Sequence, residues 1–213
     1  MSERQDLDYR LPAIRSRDIV IAALRAAFGN PDLMGPGVPN PYLFNAKDPQ
    51  GSKVWISSGA GRMGATSRDA RRNQISVNRG EYTPQENHLH NMASMAFGSG
   101  SREFTDTAST TIMITCEAGT EVESEALASI CYQVLKLFRQ QIMQDFDIFN
   151  LRLVSVGSPM LMEGTPGKPY ATTVMAQVTV QEHARMIEVG NTLNRLDIRS
   201  GLNDVVTLDA TPT

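Results

Sequence analysis

The stretch that decides the fold is TTIMITCEAGTEVESEALASICYQVL, residues Thr110–Leu135. In its first part, the residues alternate between the two faces of a strand. Ile112, Ile114 and Cys116 fall on one face, and the residues between them fall on the opposite face. Strict alternation of this kind is typical of a strand with one buried face. We therefore predict a strand over residues 107–116.

A helix is predicted directly after this strand. Thr120 and Glu123 form a T-x-x-E capping box, and Glu121 and Glu125 add negative charge near the positive end of the helix dipole. Apolar residues then recur at helical spacing through about 25 residues, which predicts an amphipathic helix lying against a sheet. The residues of this stripe are Leu127, Ile130, Cys131, Val134, Phe138 and Ile142.

Two further strands are predicted at residues 151–156 and 170–181, joined by a segment rich in Gly and Pro, and they form a hairpin. The second strand would span roughly 40 Å at ~3.3 Å per residue, about the diameter of a globule of this size. We therefore expect the hairpin tip, residues 159–168, to reach a partner. The candidate contact residues at this tip are Met160, Leu161, Met162, Glu163 and Lys168.

The flanking regions carry weaker signals. A first helix is predicted over residues 17–28, with Ser16 as its N-cap and Gly29 at its end, and a short strand over residues 53–58. Leu, Ile, Val and Phe contribute only 5 of the 52 residues from 59 to 110, against 21 of the 72 from 111 to 182. We therefore predict that residues 59–109 form a long extended insertion and that residues 189–213 form a C-terminal tail.

Together these elements predict a single α+β domain spanning residues 1–213. It would have a mostly antiparallel sheet, with the long helix and the N-terminal helix packed on it, and a projecting hairpin. The chain has 213 residues, a net charge of −3 and 20% charged residues. It contains no apolar run of about 18 residues and starts with a polar segment, so neither a membrane span nor a secretory signal is expected.

Gly59, Gly61 and Gly64 follow a predicted strand with the spacing G-x-G-x-x-G of a dinucleotide-binding turn. Such a turn must be followed by an amphipathic helix whose N-terminus holds the pyrophosphate. The next residues, 65–73, offer no apolar face. A glycine-rich loop that matches the pattern by chance is therefore favoured, and no cofactor is expected.

Residues 51–80 are strongly basic. They contain six cations and one anion, a local charge of +5, so the remainder of the chain carries −8. A basic loop on an acidic body could contact a neighbouring subunit or nucleic-acid phosphate, or could be a solvated surface. The candidate contact residues in this loop are Arg62, Arg68, Arg71, Arg72 and Arg79.

Other reactive side chains have structural explanations. His88 and His90 form H-x-H, but His183 is the one further histidine in the sequence, so a metal site is not expected. Ser57 and Ser58 lack the G-x-S-x-G spacing of a hydrolase, and no catalytic constellation argues for an enzyme. For the two cysteines, which fall at apolar-facing positions of the predicted strand and helix, buried free thiols are favoured over a disulfide.

In the order of its elements the chain resembles the tail terminator, or tail completion, proteins of tailed bacteriophages. The resemblance lies in an N-terminal helix, a Pro-rich link into a strand, an insertion, and then the stretch quoted above. The strands LRLVSVGSP (Leu151–Pro159) and YATTVMAQVTVQE (Tyr170–Glu182) follow. It covers about two thirds of the chain, and residues 107–182 match best.

This resemblance implies a structural virion protein without enzymatic activity. It would form a ring, of six subunits in that family, on the last layer of the tail tube and would join the tube to the head. The implied partners are further copies of the chain, the tail tube protein, a head-completion or connector protein and, transiently, DNA in the lumen. The implied location is the tail or neck of a virion assembled in the host cytoplasm. Another neck component is the alternative, and a nucleotide- or nucleic-acid-binding protein that uses residues 59–79 is a more remote one.

Overall fold

The computed structural model describes residues 12–30, 39, 42–48, 51–59, 73–85, 92–96, 101–146, 148–163, 169–189, 192–200 and 204–209. For residues 12–14, 85, 92–96, 101–106, 182–189, 192–200 and 204–209 this description covers the backbone. Three helices are formed by the described residues, α1 (Pro12–Gly29), α2 (Glu121–Leu137) and α3 (Arg139–Asp145). Nine strands accompany them: β1 (Val54–Ser58), β2 (Asn73–Gln85), β3 (Met92–Ala96), β4 (Ser101–Ala118), β5 (Ile148–Val156), β6 (Met160–Leu161), β7 (Tyr170–Val189), β8 (Thr192–Ser200) and β9 (Asp204–Asp209).

The nine strands form one mixed sheet with the order β1-β2-β4-β7-β8-β9. Strand β3 pairs with β4, while β5 and β6 pair with β7. The pair β1 and β2 is parallel, and all other pairs are antiparallel. The predicted α+β class, with a mostly antiparallel sheet, is confirmed.

The centre of the sheet is a long antiparallel ladder between β4 and β7. Its register runs without a shift from Ser101 opposite Ile187 to Ala118 opposite Tyr170. At ~3.3 Å per residue this ladder is roughly 60 Å long. Both strands are longer than predicted, since β4 begins at Ser101 and β7 continues to Val189.

Helix α2 begins where the capping box predicts. The Thr120 Oγ1 atom accepts a hydrogen bond from the Glu123 backbone N at 3.3 Å, and the Thr120 hydroxyl donates to Glu123 Oε2 at 3.1 Å. The prediction of one helix of about 25 residues is wrong, because the helix is interrupted at Phe138, which has φ −92° and ψ 6°. This backbone change starts the separate helix α3, which packs on β5 and buries Ile142.

Helix α1 ends at Gly29 as predicted but begins at Pro12, so the prediction of Ser16 as its N-cap is wrong. Pro is favoured in the first helical turn, where a missing N–H costs nothing. Ser16 instead lies inside the helix and is fully buried. Helices α1 and α2 cover one face of the sheet, and the core lies between them and that face. Its largest fully buried side chains include Leu24, Phe28, Ile56, Ile75, Ile112, Ile114, Leu127, Leu135 and Leu151.

The two segments predicted to be an insertion and a tail contain strands. Residues 59–109 include β2, β3 and the first part of β4, while residues 189–213 include β8 and β9. Large apolar residues are few in β3 and in residues 101–106 of β4, so hydropathy did not indicate a strand there. Strand formation depends on pairing with neighbours more than on intrinsic preference, and here β4 and β7 supply the neighbours.

Candidate interaction surface

Strand β5 is an edge strand of the helix-covered half of the sheet. Its partner among the described strands is β7, along residues 174–180. An edge strand leaves a row of backbone groups available for pairing, and soluble proteins commonly interrupt such edges with bulges or charged residues.

Two bulges interrupt β5. The register shifts between Ile148 and Asn150 and again between Leu153 and Ser155, so Phe149 and Val154 have no partner in β7. These two residues are 61% and 52% exposed. Bulges re-aim a side chain and disturb the ladder locally. In β5, both bulges present an apolar side chain to solvent.

The exposed apolar residues continue into the hairpin tip. Val156 is 46% exposed, Met160 71% and Leu161 44%. Strand β6 holds the last two of these residues beside β7, with Met160 opposite Ala171 and Leu161 opposite Tyr170. The apolar strip is defined here as Phe149, Val154, Val156, Met160 and Leu161.

The predicted hairpin of β5 and β7 is confirmed. Met162 N donates to Pro169 O at 2.9 Å, and Gly157 N donates to Thr173 O at 2.8 Å, so both sides of the tip are fixed to β7. Glu163 is exposed next to this turn, whereas Lys168 lies outside the described residues. On β5, the exposed cation Arg152 lies between the two bulges.

Of the five candidate arginines in the basic segment, Arg79 is the one that lies within the described residues. Arg79 is an exposed residue of β2 opposite Ile112, where the register with β4 shifts before Tyr82. Arg62, Arg68, Arg71 and Arg72 lie outside the described residues. A contact of this loop with a partner or with DNA therefore stays a prediction.

The glycine motif follows β1, as its spacing requires, but Gly61 and Gly64 lie outside the described residues. A Cβ atom at Gly59 would overlap with the end of the Asn78 side chain on β2, so a larger residue there would require that side chain to move.

The described residues include no group of three or more His, Cys, Asp or Glu side chains that could hold a metal ion. His183 is a residue of β7, while His88 and His90 lie outside the described ranges. The predicted capping box is confirmed at Glu123. Its side chain accepts a hydrogen bond from the Thr120 hydroxyl, and its backbone N–H donates one to Thr120 Oγ1.

The two cysteines are free and buried, as favoured from the sequence. The Cys116 thiol on β4 and the Cys131 thiol on α2 are in contact, with 3.7 Å between their sulfur atoms. The interaction with Cys131, followed by burial, raises the pKa of the Cys116 thiol well above its ordinary value. Because the thiolate is the reactive form, the raised pKa makes the Cys116 thiol a poor nucleophile near neutral pH.

An open pocket of about 510 Å³ lies between the end of α1 and the loop before β1. Its polar lining residue Ser52 is already engaged, because its hydroxyl donates to the carbonyl oxygens of Asn45 and Asp48 and accepts from Asn45 N. The flanking residues Lys47 and Lys53 are exposed. These two lysines are the ionisable side chains among its described lining residues.

A comparison with models of known protein families gives no match, and a comparison with curated proteins gives none either. None of the helices in the described ranges has the length and apolar character needed to cross a lipid bilayer.

The apolar strip is the feature of the described surface that most directly indicates an interaction. Sequence reasoning located its tip residues but missed Phe149, Val154 and Val156, because their exposure depends on where β5 bulges against β7.

Proposed function

We propose that this protein is a structural subunit that forms a ring and acts as a tail terminator of a tailed bacteriophage, closing the tail tube and joining it to the head or neck. The proposal combines the resemblance in element order with one structural observation. That observation is the apolar strip on the bulged edge strand β5 and on β6.

The strip supports a protein partner in preference to a small ligand. It extends along two strands, β5 and β6, and its members are exposed apolar side chains. Its extent favours a partner too: five large apolar side chains, each between 44% and 71% exposed, line one edge of the sheet. Exposed apolar patches of this kind mark interaction sites on soluble proteins.

The two bulges in β5 favour a contact made by its side chains over the pairing of a partner's strand with this edge. An uninterrupted edge strand pairs readily with other chains and aggregates. Strand β5 instead breaks its ladder twice and presents apolar groups at the breaks. This arrangement permits a specific contact and disfavours indiscriminate strand pairing.

The proposed partners follow from the resemblance: further copies of the chain, the tail tube protein and a head-completion or connector protein. The proposed location is the tail or neck of the virion. A role as another neck component shares the same interaction surface and differs in the protein to which the ring binds.

The proposal is tested by native mass spectrometry of the purified protein, alone and with the tail tube protein. We expect a closed oligomer that binds tube ends, and we expect Val154→Asp to dissociate it. The matched control is Val122→Asp, which adds the same charge at a 74% exposed position near the start of α2, outside the strip. A wild-type protein that is strictly monomeric and binds no tube would contradict the proposed function.

A further inference from the structure

Beyond the helices, the sheet continues as an extension made of strands. It consists of β3, residues 101–106 of β4, residues 182–189 of β7, and β8 and β9. Among the described residues, β3, β8 and β9 pack substantially on other strands and on no helix. A sheet with one apolar face requires a covering layer.

Two rows of residues give the extension an apolar face. Residues in register on neighbouring strands share a face of the sheet. The first row is Phe104, Ala184, Ile198 and Val206, and the second, two positions along, is Arg102, Met186, Leu196 and Leu208. Seven of these eight residues are apolar.

The opposite face of the extension is charged. Two of its rows are Glu103, Arg185, Asp197 and Thr207, and then Ser101, Ile187, Arg195 and Asp209. Opposite charges alternate across the strands of the first of these rows, which is a stabilising arrangement in a sheet. The register positions of the two faces therefore differ in residue type, one mostly apolar and the other mostly charged or polar.

The apolar face continues the core side of the sheet. The register of β4 with β7 is unbroken, so Phe104 and Ala184 have the same parity as the buried residues Ala108 and Val180. Between core and extension lies an acidic row formed by Asp106, Glu182, Ser200 and Asp204. Like charges directly opposite each other are destabilising unless a cation compensates them.

We propose that the apolar face of the extension receives the apolar strip of a second copy of this chain, in a head-to-tail contact with Arg152 of the strip near the acidic row. This inference rests on the proposed function, because it names the surfaces by which the ring subunits meet. Charge complementarity supports it: Arg152 is an exposed cation in the middle of the strip, and the acidic row borders the face.

The strip and the face are two different surfaces located at different positions along β7. At the tip end of the strip, Met160 is opposite Ala171, roughly 50 Å along β7 from Met186, which is opposite Leu196. At the other end, Ile148, the neighbour of Phe149, is opposite Val180, roughly 13 Å along β7 from Ala184. A contact between two different surfaces of one chain is heterologous, and heterologous contacts form closed rings when the rotation closes.

The two apolar rows lie across four strands about 4.8 Å apart, so the apolar face is roughly 15 Å wide across the strands.

The experiment mixes two variants that each disable one surface. Val154→Asp disables the strip and leaves the face, whereas Leu208→Asp disables the face and leaves the strip. We expect each variant alone to be monomeric in native mass spectrometry. Their mixture is expected to form a 1:1 pair that grows no further, because one strip and one face remain usable. Thr207→Asp, at the neighbouring position on the charged face, is the matched control and should keep the full oligomer.

The outcomes distinguish failure of the head-to-tail contact from failure of the proposed ring function. An oligomeric wild type with a mixture that stays monomeric overturns the head-to-tail contact and leaves the proposed ring standing. A full oligomer formed by Leu208→Asp alone overturns the contact as well. A monomeric wild type overturns the proposed function itself. Leu208→Ser, which removes apolar surface without adding charge, should give the same capped pair, and circular dichroism melting confirms that each variant is folded.

Discussion

The sulfur atoms of Cys116 and Cys131 lie 3.7 Å apart in the core, one on the central strand β4 and the other on helix α2. The two residues are 15 positions apart in sequence and connect the two elements that form the best-defined part of the fold. The contact has two measurable consequences, one for pH dependence and one for oxidation.

Stability should fall at alkaline pH because of Cys116. Its thiol pKa is raised in the folded state, through the interaction with Cys131 and through burial, so the folded protein keeps a proton that the unfolded chain loses above pH about 8.5. The unfolded state then binds fewer protons, and the free energy of unfolding decreases as pH rises. We expect a loss of about 1 kcal/mol between pH 8.5 and 9.5 in urea denaturation. Cys116→Ala should lack this part of the pH dependence, and an unchanged slope would contradict the assignment.

Prolonged oxidation should join the same two thiols, at a low rate because both are buried and the pKa of the Cys116 thiol is raised. A disulfide requires about 2.05 Å between sulfur atoms, so the pair must approach by less than 2 Å. With diamide as oxidant, each thiol loses one proton and one electron, and the protein mass falls by two hydrogens. The crosslink should raise the melting temperature, since closing a loop of this length contributes about 3 kcal/mol in the chain-entropy model. Cys131→Ser should show neither change.

The cap of helix α2 should be measurable at Thr120. Thr120→Ala removes the acceptor for the Glu123 backbone N, and we expect a loss of about 1 kcal/mol in the free energy of unfolding. Ser129→Ala is the control, because Ser129 is exposed on the same helix. Equal effects of the two substitutions would show that the cap contributes nothing specific.

A buried hydroxyl pair joins α2 to β7. Ser124 Oγ and Thr172 Oγ1 are 3.0 Å apart, and the Ser124 hydroxyl also lies 2.8 Å from Glu121 O. Thr172→Val keeps the side-chain shape and should cost about 1 kcal/mol. Ser124→Ala removes the buried partner of the Thr172 hydroxyl and should cost about 1 to 3 kcal/mol. The double variant should lose less than the sum, and strict additivity in urea denaturation would show that the two groups do not interact.

Hydrogen exchange should report the proposed ring contact. In the oligomer, amides of β8 and β9 should exchange slowly because the extension is covered. In the Val154→Asp monomer they should exchange faster, since a single-layer sheet opens locally at low cost. Amides of the helix-covered core, such as those of Ile112 and Ile114, should exchange equally slowly in both. Equal rates in β8 and β9 would contradict the covering of this face.

The sequence by itself determined the centre of the fold. Alternation predicted the helix-covered part of β4, the capping box predicted the start of α2, and the Gly- and Pro-rich segment predicted the hairpin of β5 and β7. Each of these signals is local, because it depends on the period of a strand or helix or on the residues of a turn. The burial of both cysteines followed from the same periodicity.

Only the tertiary structure decided the rest. The full lengths of β4 and β7, and the presence of β3, β8 and β9, depend on backbone pairing between strands, which residue composition does not reveal. The exposure of Phe149 and Val154 depends on two bulges, and the contact of Cys116 with Cys131 depends on how α2 lies on the sheet. In each case the deciding quantity is a register or a distance between two elements, and the pattern within either element alone does not determine it.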